Sequence, residues 1–235
     1  MIKTAMILAA GKGTRMRASA QDPPKPLTEI GGESLLSRML GRLETAEVET
    51  IVGNVHHKAE AIEAALAQYS GQAQLVISNE RDALLETGGG VKRALAHLAP
   101  DGQTSGFLVA NGDVLWREES PVLESFLASF DPQKMDALLL LAPRTQATGY
   151  DGTGDYTMAP DGQLRRKTEA QAAYIFAGVQ ILSPALFAAM PEGAFSLNQI
   201  YDAAQQNGRL YGHVLDGLWM HVGTPEGRAE AEAAL

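Results

Sequence analysis

The feature that most limits the fold is a regular alternation of short apolar runs with helical repeats over the first two-thirds of the chain. Thr4–Ala9 is a short continuous apolar run, the pattern of a strand buried on both faces. After a polar loop, Leu35, Leu36, Met39, Leu40 and Leu43 recur at helical spacing. Thr50–Val52, Leu75–Ile77, Phe107–Ala110 and Ala137–Leu141 read as further strands. Helices are predicted over Ala59–Leu66, through Val91–Leu98 and near Val122–Phe130. This βαβα order predicts an α/β fold, doubly wound and Rossmann-like, with a mainly parallel mixed sheet and helices on both faces.

From about Gly149 the rhythm changes. Asp155–Met158 and Gln163–Arg165 flank Pro160-Asp161-Gly162, a hairpin signal. Tyr174–Leu182 is a long strand and Leu197–Gln206 a helix. Asp216-Gly217, between Leu210–Leu215 and Leu218–Val222, predicts a second hairpin. Thr224-Pro225 reads as the cap and first position of a terminal helix. With no repeat and no low-complexity linker, one domain over 1–235 is expected, in two parts: 1–148, and a β-rich 149–235 that extends the sheet and covers the ligand.

Charge narrows the partners. The chain carries 19 basic and 28 acidic residues, a net −9, which argues against a general nucleic-acid surface. Residues 1–30 nevertheless hold five basic residues against two acidic ones, a local +3, so the remainder sums to −12. A basic, glycine-containing start on an acidic protein points to an anionic small molecule held there. The absence of Cys excludes disulfides and a thiol nucleophile, and leaves any metal to carboxylate or imidazole. No apolar run approaches a membrane span and the start shows no signal-peptide pattern, so a cytoplasmic protein without membrane contact is expected.

The chemistry concentrates after the first strand, in Leu8-Ala9-Ala10-Gly11-Lys12-Gly13-Thr14-Arg15-Met16. Small residues there let backbone amides approach a ligand and point at phosphate oxygens. A dinucleotide fingerprint fails because Met16 stands where a third glycine belongs, and a P-loop fails because Lys12 follows the wrong glycine. Downstream, Pro23-Pro24-Lys25-Pro26-Leu27 restricts the backbone around one cation, which lowers the cost of presenting its ammonium to a phosphate. Val109-Ala110-Asn111-Gly112-Asp113 ends a predicted buried strand, where open α/β sheets bind ligands. A lone carboxylate there suits Mg²⁺, which takes few protein ligands and keeps several waters. The alternative for Asp113 is an ordinary turn residue, and for Thr87-Gly88-Gly89-Gly90 a permissive helix start.

Together these segments resemble the signature of the sugar-nucleotidyltransferases, whose pattern is L-A-A-G-x-G-T-R-[ML] followed by P-K-P-L. Leu8–Met16 and Pro24–Leu27 match it, and the likeness continues through Glu86–Gly90, Asn111–Val114 and Trp219–Thr224. The compact length, the L-E-T-G-G-G sequence and the V-x-N-G-D-V spacing are most similar to the branch that makes a UDP-sugar in cell-wall recycling. The resemblance implies transfer of a nucleotidyl group, from UTP first, to a sugar 1-phosphate, with pyrophosphate leaving. Small-molecule substrates are the implied partners, and the β-rich part is the implied sugar side. Sister reactions on mannose, glucose or heptose 1-phosphate with GTP or UTP, or a non-catalytic sugar-nucleotide-binding regulator, are the alternatives.

On that resemblance, Ala10, Gly11, Lys12, Gly13, Thr14 and Arg15 form the nucleotide-binding loop. Lys25 sits near the α-phosphate, and Thr87 and Gly88 read the base. Asn111, Gly154 and Asp155 contact the sugar. Arg15, Lys25 and Asp113 are the catalytic group, with Asp113 holding Mg²⁺. Many relatives carry an acidic residue in W-x-D-V-G-T; here it is His221. Either His221 coordinates a metal, which favours Mn²⁺ or Co²⁺, or it hydrogen-bonds a phosphate or a metal-bound water. Arg165-Arg166-Lys167 reads as a solvated strand edge, His56-His57 as a helix start, and Trp219 and Tyr174 as core.

Overall fold

In the computed structural model, the structure describes residues 2–11, 22–102, 104–167 and 171–235. In chain order, β1 (Thr4–Leu8), the short β2 (Glu29–Ile30) and β3 (Glu33–Ser34), and α1 (Leu35–Thr45) come first. Next are β4 (Thr50–Val55), α2 (Ala59–Leu66), β5 (Gln74–Asn79), α3 (Glu86–Leu98), β6 (Phe107–Asn111), β7 (Leu115–Glu118) and α4 (Val122–Ala128). The rest comprises β8 (Ala137–Pro143), β9 (Ala147–Thr148), β10 (Tyr156–Met158), β11 (Leu164–Arg166), β12 (Tyr174–Leu182), α5 (Asn198–Gln206), β13 (Leu210–Val214), β14 (Gly217–Met220) and α6 (Pro225–Ala234).

The strands alternate faces, and this builds two layers of core. On β1, Ala5 and Ile7 point into a cluster with α1, α2 and α4, while Met6 points into another with α3 and α5. Helices therefore cover both faces, as the βαβα pattern predicts. Local signals fix the helix ends. Ser34 Oγ accepts from Ser37 N at the start of α1, and Thr224 Oγ1 accepts from Gly227 N at the start of α6, with Pro225 at its first position.

The main sheet pairs β5, β4, β1 and β6 in parallel; β12 then runs antiparallel between β6 and β8, and β13 lies parallel on β8. Because β12 opposes both neighbours, β8 runs in the same direction as β1 and β6. The β10–β11 hairpin turns at Gly162, whose φ of +90° suits glycine. Register slips in the pairing of β12 with β8 between Phe176 and Gln180, a bulge that contains Gly178 (φ +87°).

The second predicted hairpin does not form. β13 joins the main sheet, whereas β14 crosses to a small sheet, antiparallel to β7 and parallel to β9. The reason is burial: β13 completes the fully apolar β8, and Trp219 and Met220 are buried only by leaving that sheet. Asp216-Gly217 is thus a crossing point, where a Cβ on Gly217 would lie 2.2 Å from Arg117 O. Among the described residues, no helix is long and apolar enough to cross a membrane.

Candidate active site

Three parallel strands, β1, β6 and β8, deliver their carboxyl ends to one edge of the sheet, the edge at which open α/β sheets bind ligands. β1 leads into Ala9-Ala10-Gly11. The amides of Ala9 and Ala10 donate to Asn54 Oδ1 at 2.7 and 3.3 Å. Lys12, Gly13, Thr14 and Arg15 of the expected phosphate loop lie outside the described residues.

Asn54, from β4, is itself held. Its Nδ2 donates to Glu80 Oε1 at 2.6 Å, and Glu80 Oε2 accepts from Leu85 N at 3.2 Å. Glu80 is wholly buried and Asn54 nearly so. One carboxylate therefore ties the segment that follows β1, the start of the expected phosphate loop, to the segment leading into α3. Sequence reading missed this pair. A polar residue in the apolar run Thr50–Val55 is the signal that marks it, because a buried amide needs partners.

At the end of β6, Gly112 packs closely against the end of β1. Its N–H donates to Leu8 O at 2.9 Å, and a Cβ there would sit 2.9 Å from that oxygen and 3.1 Å from Pro26 Cγ. With no side chain at 112, the Pro24–Leu27 turn packs against the Asn111–Asp113 turn. Lys25 Nζ and Asp113 Oδ2 consequently form an ion pair, with side chains 20% and 31% exposed. Two residues predicted for one reaction centre are thus in contact. Asn111 lies beside the β12 bulge, its Nδ2 3.1 Å from where a Cβ of Gly178 would be.

The triple glycine has a packing reason. Gly88 and Gly89 both donate to Phe195 O, at 2.8 and 3.1 Å, and a Cβ on Gly88 would meet the Phe195 ring. Thr87 Oγ1 accepts from Leu197 N at 2.9 Å. The first turn of α3 is thereby fastened to the segment before α5.

On the β-rich side, Gly154 (φ +78°) donates to Tyr150 Oη at 3.1 Å, and Asp155 Oδ2 accepts from Phe176 N at 2.9 Å, clamping the start of β12. His221 stacks on Trp219 at 5.9 Å, and its Nδ1 donates to Gly149 O at 3.1 Å, because a carbonyl only accepts. Met220 pairs with Leu115, which brings the chain entering His221 alongside the chain leaving Asp113. Trp219 is buried, as read, and Tyr174 packs partly buried against the core. Arg166 does not lie on a free edge: it meets Asp202 at 3.2 Å and Asn198 Oδ1 at 3.1 Å, both on α5. Among the described residues no group of three or more His, Asp or Glu could cage a metal. Asp113 is the hard oxygen donor at this edge, a donor set suited to Mg²⁺ that completes its shell with water and phosphate oxygens.

The MobA-like NTP transferase domain matches residues 5–189. Over 99% of this chain and 97% of the relative, the sequence is 43% identical to an N-acetylmuramate alpha-1-phosphate uridylyltransferase of Caulobacter vibrioides. A protein of the same name from Neisseria meningitidis is 34% identical over 97% of this chain and 96% of its own. Among solved structures, HddC from Yersinia pseudotuberculosis complexed with GMP-PN shares the fold, with a TM-score of 0.78 and 24% identity over 99% of both chains.

Proposed function

The chain belongs to the MobA-like NTP transferase domain family and is a nucleotidyltransferase, and we propose that it transfers the uridylyl group of UTP to N-acetylmuramate 1-phosphate. The observation that carries this reading is the 43% identity over nearly the whole length of both chains. The products are UDP-N-acetylmuramate and pyrophosphate.

In the reaction, a phosphate oxygen of the sugar 1-phosphate attacks the α-phosphorus of UTP. The bond from that phosphorus to the bridging oxygen of the β-phosphate breaks, and pyrophosphate leaves with the electron pair. No covalent enzyme intermediate is needed, so the protein acts by alignment and charge neutralisation, and alignment alone can supply roughly 7–11 kcal/mol. The amides of Gly11 and Gly13, with Arg15, bind the β- and γ-phosphates. Lys25 moves from Asp113 to the α-phosphate region and meets the charge that builds there. Thr87 and Gly88 border the base, and Asn111, Gly154 and Asp155 border the sugar. Asp113 holds a divalent cation, Mg²⁺ first and Mn²⁺ or Co²⁺ as alternatives, which supplies neutralisation of phosphate charge when bound. The cytoplasm, where nucleoside triphosphates are held, is the place of this reaction.

The test incubates the protein and Mg²⁺ with each of UTP, GTP and dTTP against N-acetylmuramate, glucose and mannose 1-phosphates, following pyrophosphate. The highest kcat/KM is expected for UTP with N-acetylmuramate 1-phosphate. A higher value for GTP with mannose 1-phosphate would move the protein to a sister reaction, and no pyrophosphate in any mixture would refute catalysis.

A further inference from the structure

The ten described arginines divide in an informative way. Seven are ion-paired with a carboxylate: Arg38, Arg42, Arg81, Arg93, Arg117, Arg166 and Arg209. Of the other three, Arg165 is exposed on the β10–β11 hairpin, and Arg228 donates to Glu29 O from α6. The third is Arg144, partly buried, whose Nη1 donates at 3.2 Å to the neutral amide of Gln171.

Position sets Arg144 apart. It follows the last residue of β8, at the same edge as Asn111 and Asp113. Its N–H donates to Ala173 O at 3.0 Å, and its Cδ would lie 3.0 Å from a Cβ on Gly154. Val109 and Leu139 both oppose Gln180 across β12, so Asn111 is level with Leu141. Arg144 is three residues further out and two strands across, about 14 Å from Asn111 between Cα atoms at ordinary strand spacings. One pyranose ring, a short carboxylate arm and an arginine side chain span that gap.

An arginine at a binding edge with no acid partner among the described residues is an anion reader in waiting, because its planar fork matches a carboxylate in two hydrogen bonds. In the proposed reaction the phosphates of the substrates are met at the β1 and β6 ends. What remains is the sugar: N-acetylmuramate carries a lactyl ether that ends in a carboxylate. We propose that Arg144 binds this carboxylate and makes the site selective for an acidic sugar 1-phosphate. The proposal rests on the substrate reading above.

The experiment compares the wild type with Arg144→Gln and Arg144→Lys on N-acetylmuramate 1-phosphate and on its neutral carboxamide, with UTP and Mg²⁺. Where the carboxamide is not turned over, its Ki as a competitive inhibitor replaces KM. Arg144→Gln should lower kcat/KM for the acid by roughly 10- to 100-fold, mainly through KM, the range for hydrogen bonds to charged groups. It should leave the carboxamide values and the melting temperature unchanged, and Arg144→Lys should recover part of the loss. Equal losses on acid and carboxamide, or no loss on either, would overturn the proposal. A wild type that fails to use N-acetylmuramate 1-phosphate overturns the substrate reading itself, and the proposal with it, before any variant is made.

Discussion

Lys25 Nζ is paired with Asp113 Oδ2, although 88 residues separate them in the chain. The contact exists because Gly112 has no side chain to hold the Pro26 ring away from the end of β6. In the proposed reaction both groups exchange this partner for another: the ammonium for phosphate oxygens, the carboxylate for a divalent cation. The pair keeps each charge neutralised and holds both side chains at the same sheet edge until substrate and cation replace them.

Replacing Lys25 by Ala should therefore lower kcat by orders of magnitude and leave the fold in place. Losing a preorganised cation at a developing oxyanion costs about 3–4 kcal/mol, whereas a partly exposed ion pair contributes at most about 1 kcal/mol to stability. Steady-state kinetics and a melting curve on the variant check both halves. A near-normal kcat removes Lys25 from the reaction centre.

Glu80 should matter through the loops it ties. In Glu80→Ala the buried donors of Asn54 Nδ2 and Leu85 N lose their acceptor, at a cost of about 2–6 kcal/mol in total. The melting temperature should fall, and KM for UTP should rise more than KM for the sugar phosphate. Unchanged stability would show that the carboxylate does not anchor these segments.

Much of this was legible because it is periodic or local. The two-residue alternation of β1 assigns its faces, and Ser34 and Thr224 cap helices where the sequence places them. The Lys25 and Asp113 turns were marked by prolines and by the end of an apolar run. What escaped depends on distant packing. Asp216-Gly217 has the composition of a hairpin turn, yet the partners of its two strands lie about 70 and 100 residues upstream, at Ala137–Leu141 and Leu115–Glu118. The Asn54–Glu80 tie is likewise invisible to spacing, since it joins β4 to the residue after β5 through side chains. Arg144 stands out only once the partners of the other arginines are known.

Burial holds the His213 imidazole below its usual pKa of 6.5, with the Phe126 ring edge-on at 5.7 Å. As pH falls through that unfolded value, the unfolded chain takes up a proton that the folded protein resists, so stability is lost on the acid side. Melting temperature should drop more between about pH 8 and about pH 5.5 in the wild type than in His213→Gln. Parallel pH curves for the two proteins would exclude His213 as a source of acid lability.

His221 stands where the family pattern given above has an acidic residue, and its Nδ1 donates to Gly149 O. Converting it to Asp adds a hard oxygen donor beside the Asp113 turn, and Mg²⁺ prefers oxygen. Mg²⁺ should then support half-maximal activity at a lower concentration than in the wild type. If His221 coordinates, the wild type should also favour Mn²⁺ or Co²⁺ more strongly than the variant does. Identical activity profiles for all three ions would place His221 outside the metal site.

The central claim is the transfer itself, and following the α-phosphorus tests it most directly. The protein is given UTP labelled at the α-phosphate, N-acetylmuramate 1-phosphate and Mg²⁺, and the products are separated. The account predicts that the label appears in UDP-N-acetylmuramate, matched one to one by unlabelled pyrophosphate, and that Lys25→Ala slows both products equally. Label in UMP or UDP without sugar nucleotide, or no label transferred at all, would contradict it.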